Sequence, residues 1–310
     1  MSVTTAKTDL IARTVSGTDF LDALPSAAKL FAAPAHAVYE ANRDVCSWLC
    51  DPLARWARGA YGEDVFAAAV RGYDAYCLHV AQAKLAYEKA GRYTPDELPR
   101  IIDKVYGDDD VMTPYMWAAV LIYAFWPSMT AHLGLFRDHF LDRLPTAPRI
   151  LELACGHGAM GLVSLEHRPD ATLLGYDISS PAIRIANRLA AASPHAGRAR
   201  FVARDVLDLD LAEGRHDGVI AAMLAEHMAD PRPLFTSVAR YLAPEGLAFV
   251  STALESPQRD HVYEYHHESE PLRMAEEAGL RVVRMTCDSA PRTDGEQFSA
   301  RALAMVLAHR

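Results

Sequence analysis

The 310-residue chain is 51% hydrophobic and 23% charged, the composition of a folded globular protein with ample apolar material for a core. Its net charge of −9 is shared between the halves, with 14 basic against 18 acidic residues before position 146 and 17 against 22 from there on. Neither half carries the Lys/Arg cluster that phosphate neutralisation needs, which excludes nucleic acid as a partner.

All five lysines fall at or before Lys104, so the second half has neither a phosphate-loop lysine nor a Schiff-base lysine. Met1 to Lys7 shows no basic segment leading into an apolar one. The longest apolar run, Met116 to Trp126, has eleven residues, short of the ~20 that cross a bilayer. A cytoplasmic protein with no membrane contact is expected. The five cysteines are scattered and odd in number, which argues against a disulfide framework; Cys46 and Cys50, one helical turn apart, lack two further ligands at metal-binding spacing. No metal is expected.

From Phe20 to about Leu144 the apolar residues recur at helical spacing, as in Val65, Ala69, Tyr73, Cys77, Val80, Ala83 and Tyr87, so residues 1–145 are predicted to form an all-helical cap. Thr94-Pro95-Asp96-Glu97 has the form of a capping box, and Thr113-Pro114 signals another helix start. Gly107 with Asp108, Asp109 and Asp110 is predicted to be the loop between them. The segment from Thr113 to Pro127 is rich in aromatics. It forms either a helix wedged between two domains or a lid whose Tyr115, Tyr123 or Trp126 faces a ligand cation, and one further helix, Ser128 to Asp142, leads on.

The run Arg149-Ile-Leu-Glu-Leu-Ala-Cys-Gly-His-Gly-Ala-Met-Gly161 is an apolar strand feeding a glycine-rich turn, where the backbone can approach a ligand and a helix N-terminus can face it. Read alone it is also the G-x-G-x-x-G of dinucleotide-binding proteins. A second apolar run ends at Asp177, a third at Asp205 and Val206, and a fourth spans His216 to Ala222 and continues to Glu226-His227. A helix over 234–242 and a strand over 243–251 follow, with Gly246 placed to supply a positive φ. The stretches from Glu276 to Thr286 and from Ser299 to Ala308 read as a helix, a strand and a terminal strand.

Together these elements resemble class I S-adenosylmethionine-dependent methyltransferases of the small-molecule branch, over roughly residues 146 to 310. Glu245 departs from the family's usual Pro-Gly-Gly turn. The resemblance implies an α/β, Rossmann-like seven-stranded, mostly parallel sheet closed by an antiparallel hairpin, with S-adenosyl-L-methionine as cofactor. It assigns Glu152, Gly156, His157, Gly158 and Gly161 to the cofactor loop. Asp177, with Ile178 beside it, goes to the ribose, Asp205 and Val206 to the adenine, and Ala222 to the end of the fourth strand.

Methyl transfer needs alignment and exclusion of water more than acid–base chemistry. His227 is nevertheless a candidate for catalysis or substrate orientation, alongside Tyr115, Tyr123 and Trp126. His266, His267 and Glu268 either line a substrate entrance or form a solvated surface. The expected substrate is a small-molecule nucleophile, in specialised metabolism of a bacterial type. Two alternatives stand beside it. In one, the cofactor itself is the substrate, as in azetidine-2-carboxylate synthases, which resemble this class and release methylthioadenosine; in the other, the chain is a non-catalytic cofactor-binding subunit.

Overall fold

The computed structural model describes residues 14–209, 214–289 and 300–310; Met1 to Lys7 and Ser299 lie outside them. The secondary structure of the first half is all helical in its described part: α1 (Thr18–Ala27), α2 (Lys29–Ala41), α3 (Arg43–Tyr61), α4 (Val65–Ala90), the short α5 (Leu98–Ile101) running into a π turn at Ile102–Tyr106, α6 (Asp109–Phe125) and α7 (Pro127–Leu135). The stripe read along α4 is buried from Val65 to Cys77 and half-buried at Val80, Ala83 and Tyr87.

Two helix starts differ from the sequence expectation. Thr94 to Glu97 is not helical, and α5 begins at Leu98 with Pro99 in its first turn; the Asp96 N–H instead donates to the Arg259 carbonyl. Ahead of Pro114, α6 starts at Asp109, where the Asp108 side chain accepts from the Asp110 N–H. The acidic triplet is thus a helix N-terminus, where carboxylates complement the exposed N–H groups, and not the loop that its polarity suggested. Pro114 lies inside the helix. A Cβ on Gly72 of α4 would strike the Pro114 carbonyl, so that glycine lets the two helices cross closely.

The second half alternates strand and helix: β1 (Arg149–Leu153), α8 (Ala159–His167), β2 (Thr172–Asp177), α9 (Ser180–Ala192), β3 (Ala199–Ala203), β4 (His216–Ala222), α10 (Arg232–Tyr241), β5 (Leu242–Leu254), α11 (Ser269–Glu277), β6 (Leu280–Ser289) and β7 (Arg301–His309). They form one sheet in the order β3-β2-β1-β4-β5-β7-β6. The first five strands are parallel, and β7 is antiparallel to both neighbours. The seven-stranded, mostly parallel sheet and its closing hairpin are as expected.

Gly246 does its work differently from the expectation. Its φ is not positive; a Cβ there would come within 2.9 Å of the Asp217 carbonyl, so it is close approach at the β4–β5 register shift that calls for glycine.

Because both faces of a parallel sheet are covered, its strands read as nearly continuous apolar runs. Along β7, Ala302, Ala304 and Val306 enter one core while Leu303, Met305 and Leu307 enter the other. The first core contains α8, α9 and residues of the N-terminal helices from Phe20 onward, so those helices are continuous with the sheet's own core. Trp56 meets the His195 ring edge-on at 5.5 Å, and Arg188 lies 4.1 Å over the Tyr61 ring.

Cys46, Cys50, Cys77 and Cys155 are buried and Cys287 is half-buried; burial pushes the Cys46 and Cys77 thiols up to about 12. The native protein should therefore react rapidly with a thiol-exchange reagent at no more than one cysteine, and at all five in denaturant. Rapid reaction of three or more would show that the helical half opens readily.

No single described helix is long and apolar enough to cross a membrane; Asp109–Phe125 with Pro127–Arg143 meets the length and composition test only as a pair bent by 83°.

Candidate functional site

In an open parallel sheet the chain leaves adjacent strands in opposite directions where the strand order reverses, and ligands bind in the crevice beyond the carboxyl ends there. In this sheet that place lies between β1 and β4. Three strand ends turn there on non-glycine residues with positive φ: Ala154 after β1, Met223 after β4 and Glu255 after β5. Such backbone costs of order 1–3 kcal/mol each and is held only by surrounding structure, a pattern that clusters at functional sites. Ala154 and Met223 line a cavity there.

Glu152, Gly156, His157, Asp177, Ile178, Ala222, Tyr115, Tyr123 and His227 line the same cavity. The structure thus brings together most of the residues picked from the sequence. Glu152 is 3% exposed, and its Oε2 has no hydrogen-bond partner. Burial, offset in part by the Gly161 N–H and reinforced by nearby Asp177, pushes its carboxyl up to about 8. The Asp177 carboxylate takes the Gly156 N–H at 2.8 Å and the Ser179 N–H at 2.7 Å, bracing the loop from the neighbouring strand. Burial lowers the His157 imidazole to about 4, so it is neutral at pH 7; its Nδ1 accepts the Ala159 N–H at 2.9 Å.

Gly158 and Gly161 do not line the cavity. Gly158 has φ +70°, and a Cβ there would come within 2.7 Å of Phe201; a Cβ on Gly161 would come within 2.5 Å of Glu152 Oε2. They shape the loop by leaving room.

Asp205 and Val206 also stand apart from the lining. Asp205 Oδ1 accepts the Leu207 N–H, and Val206 is buried in the second core. Trp126 corrects the expectation that it faces the cavity: its Nε1–H donates to Tyr73 Oη at 3.2 Å, and its ring packs 5.8 Å from that of Tyr76, which does line it. His266 and His267 are exposed and outside the lining, while Glu268 pairs with Arg301. They belong to the surface.

Sequence reasoning missed Tyr76, Tyr106, Gln258, Asp260 and His261. Tyr115 Oη donates to Asp260 Oδ2 at 2.9 Å, and Tyr106 Oη donates to the same oxygen at 3.4 Å. His227 Nδ1–H donates to the Asp260 carbonyl at 2.9 Å, with Tyr106 Oη 3.0 Å from the same nitrogen. Burial alone would raise Asp260, yet His227, His261 and the Tyr115 hydroxyl hold it below the usual carboxylate range. Gln258 Nε2–H donates to Tyr76 Oη, and Glu264 accepts the Tyr93 N–H. The loop after β5 is thereby tied to the helical half across the cavity. No motif marks these residues, because they come from three segments far apart in sequence.

The lining suits a polar ligand that carries positive charge. It offers an orphaned buried acceptor, a braced carboxylate at the end of β2, bare backbone at Gly156 with φ +49°, and a wall of tyrosines. The methyltransferase-domain family matches residues 150–246. An O-methyltransferase of Pyrenophora dematioidea is 28% identical over 169 residues, covering 51% of this chain and 62% of that protein. The demethylmenaquinone methyltransferase of Thermus thermophilus is 35% identical over 109 residues, covering 35% of this chain and 48% of that protein. The chain thus spans about half to three fifths of the length of these relatives. A TehB-like SAM-dependent methyltransferase from Corynebacterium glutamicum superposes with a TM-score of 0.48 at 19% identity, over 66% of this chain and all of that one.

Proposed function

We propose that this chain, which carries a methyltransferase domain of the class I S-adenosylmethionine-dependent type over residues 150–246, is a cytoplasmic enzyme that moves the sulfonium methyl to a small-molecule nucleophile. One observation supports it above others: Glu152, Gly156 and Asp177 at the strand ends share a cavity with Tyr76, Tyr106, Tyr115 and Tyr123 of the helical half. In this reading residues 1–145 act as a cap over a cofactor domain at 146–310. Asp177 takes the ribose hydroxyls, the Gly156 backbone the methionine part, and the tyrosine faces the sulfonium, where a cation over a ring gains about 0.5 to 2 kcal/mol. Asp205 and the Val206 N–H, which stand apart from this lining, are carried over to the adenine from the family resemblance alone. His227 orients the acceptor, its Nδ1–H anchored on the Asp260 carbonyl.

A second cavity of about 320 Å³ adjoins the first, of about 170 Å³, and shares Tyr76, Tyr115 and Gln258 with it. An acceptor lodged there would favour transfer over cofactor cyclisation, which needs no acceptor. The tyrosine wall keeps cyclisation as the second reading, since rings around a sulfonium also hold the cofactor folded on itself. The two separate by incubating the purified protein with S-adenosylmethionine alone and reading the products by mass spectrometry. Unchanged cofactor is expected; methylthioadenosine with a new amino acid, absent without enzyme, would establish cyclisation.

Glu152 supplies a pH test. A free glutamate titrates near 4.3 and Glu152 in the fold near 8, so between those values the folded state holds a proton that the unfolded state has lost. Its contribution to stability is full below the lower value and is lost as pH rises to the higher one. Glu152→Gln should remove that slope, read as the melting temperature of variant minus wild type against pH. A bound cation favours the carboxylate, so cofactor affinity should rise from pH 6 to 8 and level off above it, and in Glu152→Gln it should not. An identical pH profile in the variant would take Glu152 out of the site.

A further inference from the structure

One wall of the cavity is built from Glu226, His227 and His261. One carboxylate oxygen of Glu226 and one ring nitrogen of each histidine all lie within 4.8 Å of one another. Glu226 is fully buried; its Oε2 accepts the Thr252 hydroxyl at 2.8 Å, while its Oε1 has no hydrogen-bond partner. A buried carboxylate oxygen without a donor is costly unless something cationic or protic meets it.

Both histidines are held by backbone. His227 donates from Nδ1 to the Asp260 carbonyl at 2.9 Å, and His261 donates from Nδ1 to the Ser256 carbonyl at 2.6 Å. A neutral imidazole with its proton on Nδ1 presents its lone pair on Nε2, and a carbonyl on the far nitrogen is the partner that metal-ligating histidines usually have. The two segments are also locked together, since the Val262 and Tyr263 N–H groups both donate to the Glu226 carbonyl, at 2.8 and 3.0 Å.

We propose that Glu226, His227 and His261 bind a divalent transition-metal ion, zinc or a neighbour in that series, with its remaining coordination positions turned to the cavity. Two imidazoles and a carboxylate are the donor set of open, three-ligand sites, in contrast to the closed four-ligand structural kind. Ligands about 2.0–2.2 Å from zinc stand roughly 3.4 Å apart, so small side-chain rotations close the set. The open positions would hold water or an oxygen, nitrogen or sulfur atom of the acceptor, which makes a metal-chelating acceptor the substrate class that fits. The site rests on these three side chains and not on the cofactor assignment. Glu226-His227 is one short segment and His261 belongs to another, so no ligand spacing shows in the sequence.

The test uses the full chain, stripped with chelator and dialysed, then titrated with Zn²⁺ by calorimetry and with Co²⁺ by visible absorption. One equivalent should bind, and Co²⁺ should show the ligand-field bands of a low-coordinate site. Glu226→Gln and His261→Ala should each weaken binding tenfold or more, with folding checked by circular dichroism; if one variant does not fold, the other decides. No binding by the wild-type chain, or affinities unchanged in a folded variant, would overturn the site. S-adenosylmethionine titrated in parallel separates the two readings: cofactor binding without metal binding sinks the metal site alone, and metal binding without cofactor binding sinks the cofactor assignment alone.

Discussion

Asp177→Ala is expected to weaken S-adenosylmethionine binding by more than tenfold, measured by calorimetry on the purified chain. Two losses combine. In the proposed pose the ribose hydroxyls would lose their acceptor, and the Gly156 and Ser179 N–H groups would lose the oxygens they meet at 2.8 and 2.7 Å. An unpaired buried polar group costs about 1–3 kcal/mol, which is roughly five- to 150-fold in affinity for one such group. Asp177→Asn keeps one carbonyl oxygen but turns an amide NH₂ toward a backbone N–H, so it should fall between wild type and alanine. Unchanged affinity in a folded Asp177→Ala protein would mean that the carboxylate ending β2 does not meet the cofactor.

Gly158→Val should lower the stability of the fold by about 2–5 kcal/mol, or abolish it, read as the urea midpoint. Gly158 has φ +70°, a left-handed conformation that costs a side-chain-bearing residue roughly 1–2 kcal/mol and a β-branched one more. Its Cβ would also come within 2.7 Å of Phe201 and 3.0 Å of Ala186, and forcing atoms into a packed core typically costs about 1–3 kcal/mol. Gly197 is the control. It has no positive φ and nothing within 4 Å of a Cβ, so Gly197→Ala should change stability by less than about 0.5 kcal/mol. Equal effects at the two positions would mean that the loop is not as tightly packed as described.

The two departures at the helix starts have different physical causes. Thr94-Pro95-Asp96-Glu97 has the composition of a cap, but the Asp96 N–H is drawn to the Arg259 carbonyl and the Asp96 carboxylate to Arg100 and Arg259. A partner remote in sequence outbid the local one. At Asp108 to Asp110 the reverse held. The residues that make a good N-terminus were present, but a tract of three carboxylates also suits a loop, and only the helix that follows decides between the two uses.

The alternation of strand and helix from Arg149 onward, the glycine turn with Glu152 before it, and the carboxylate ending β2 were legible along the chain. Each of these is a short-range pattern in which neighbours along the chain perform one job together: a buried strand, a tight turn, a helix N-terminus. What faces the cavity depends instead on packing between distant segments. Tyr115 and Trp126 lie on or beside one helix, equally aromatic, yet the first meets Asp260 and the second meets Tyr73. Likewise Glu226, His227 and His261 are brought together, while His266 and His267, only a few residues on, stay in solvent. Convergence of this kind depends on where β5 ends, on the left-handed residue Glu255 that turns the chain, and on two backbone hydrogen bonds to Glu226 that pull the loop back over the sheet. These are contacts between segments distant in sequence, fixed by packing and polar satisfaction across the whole fold, and no window of residues carries them.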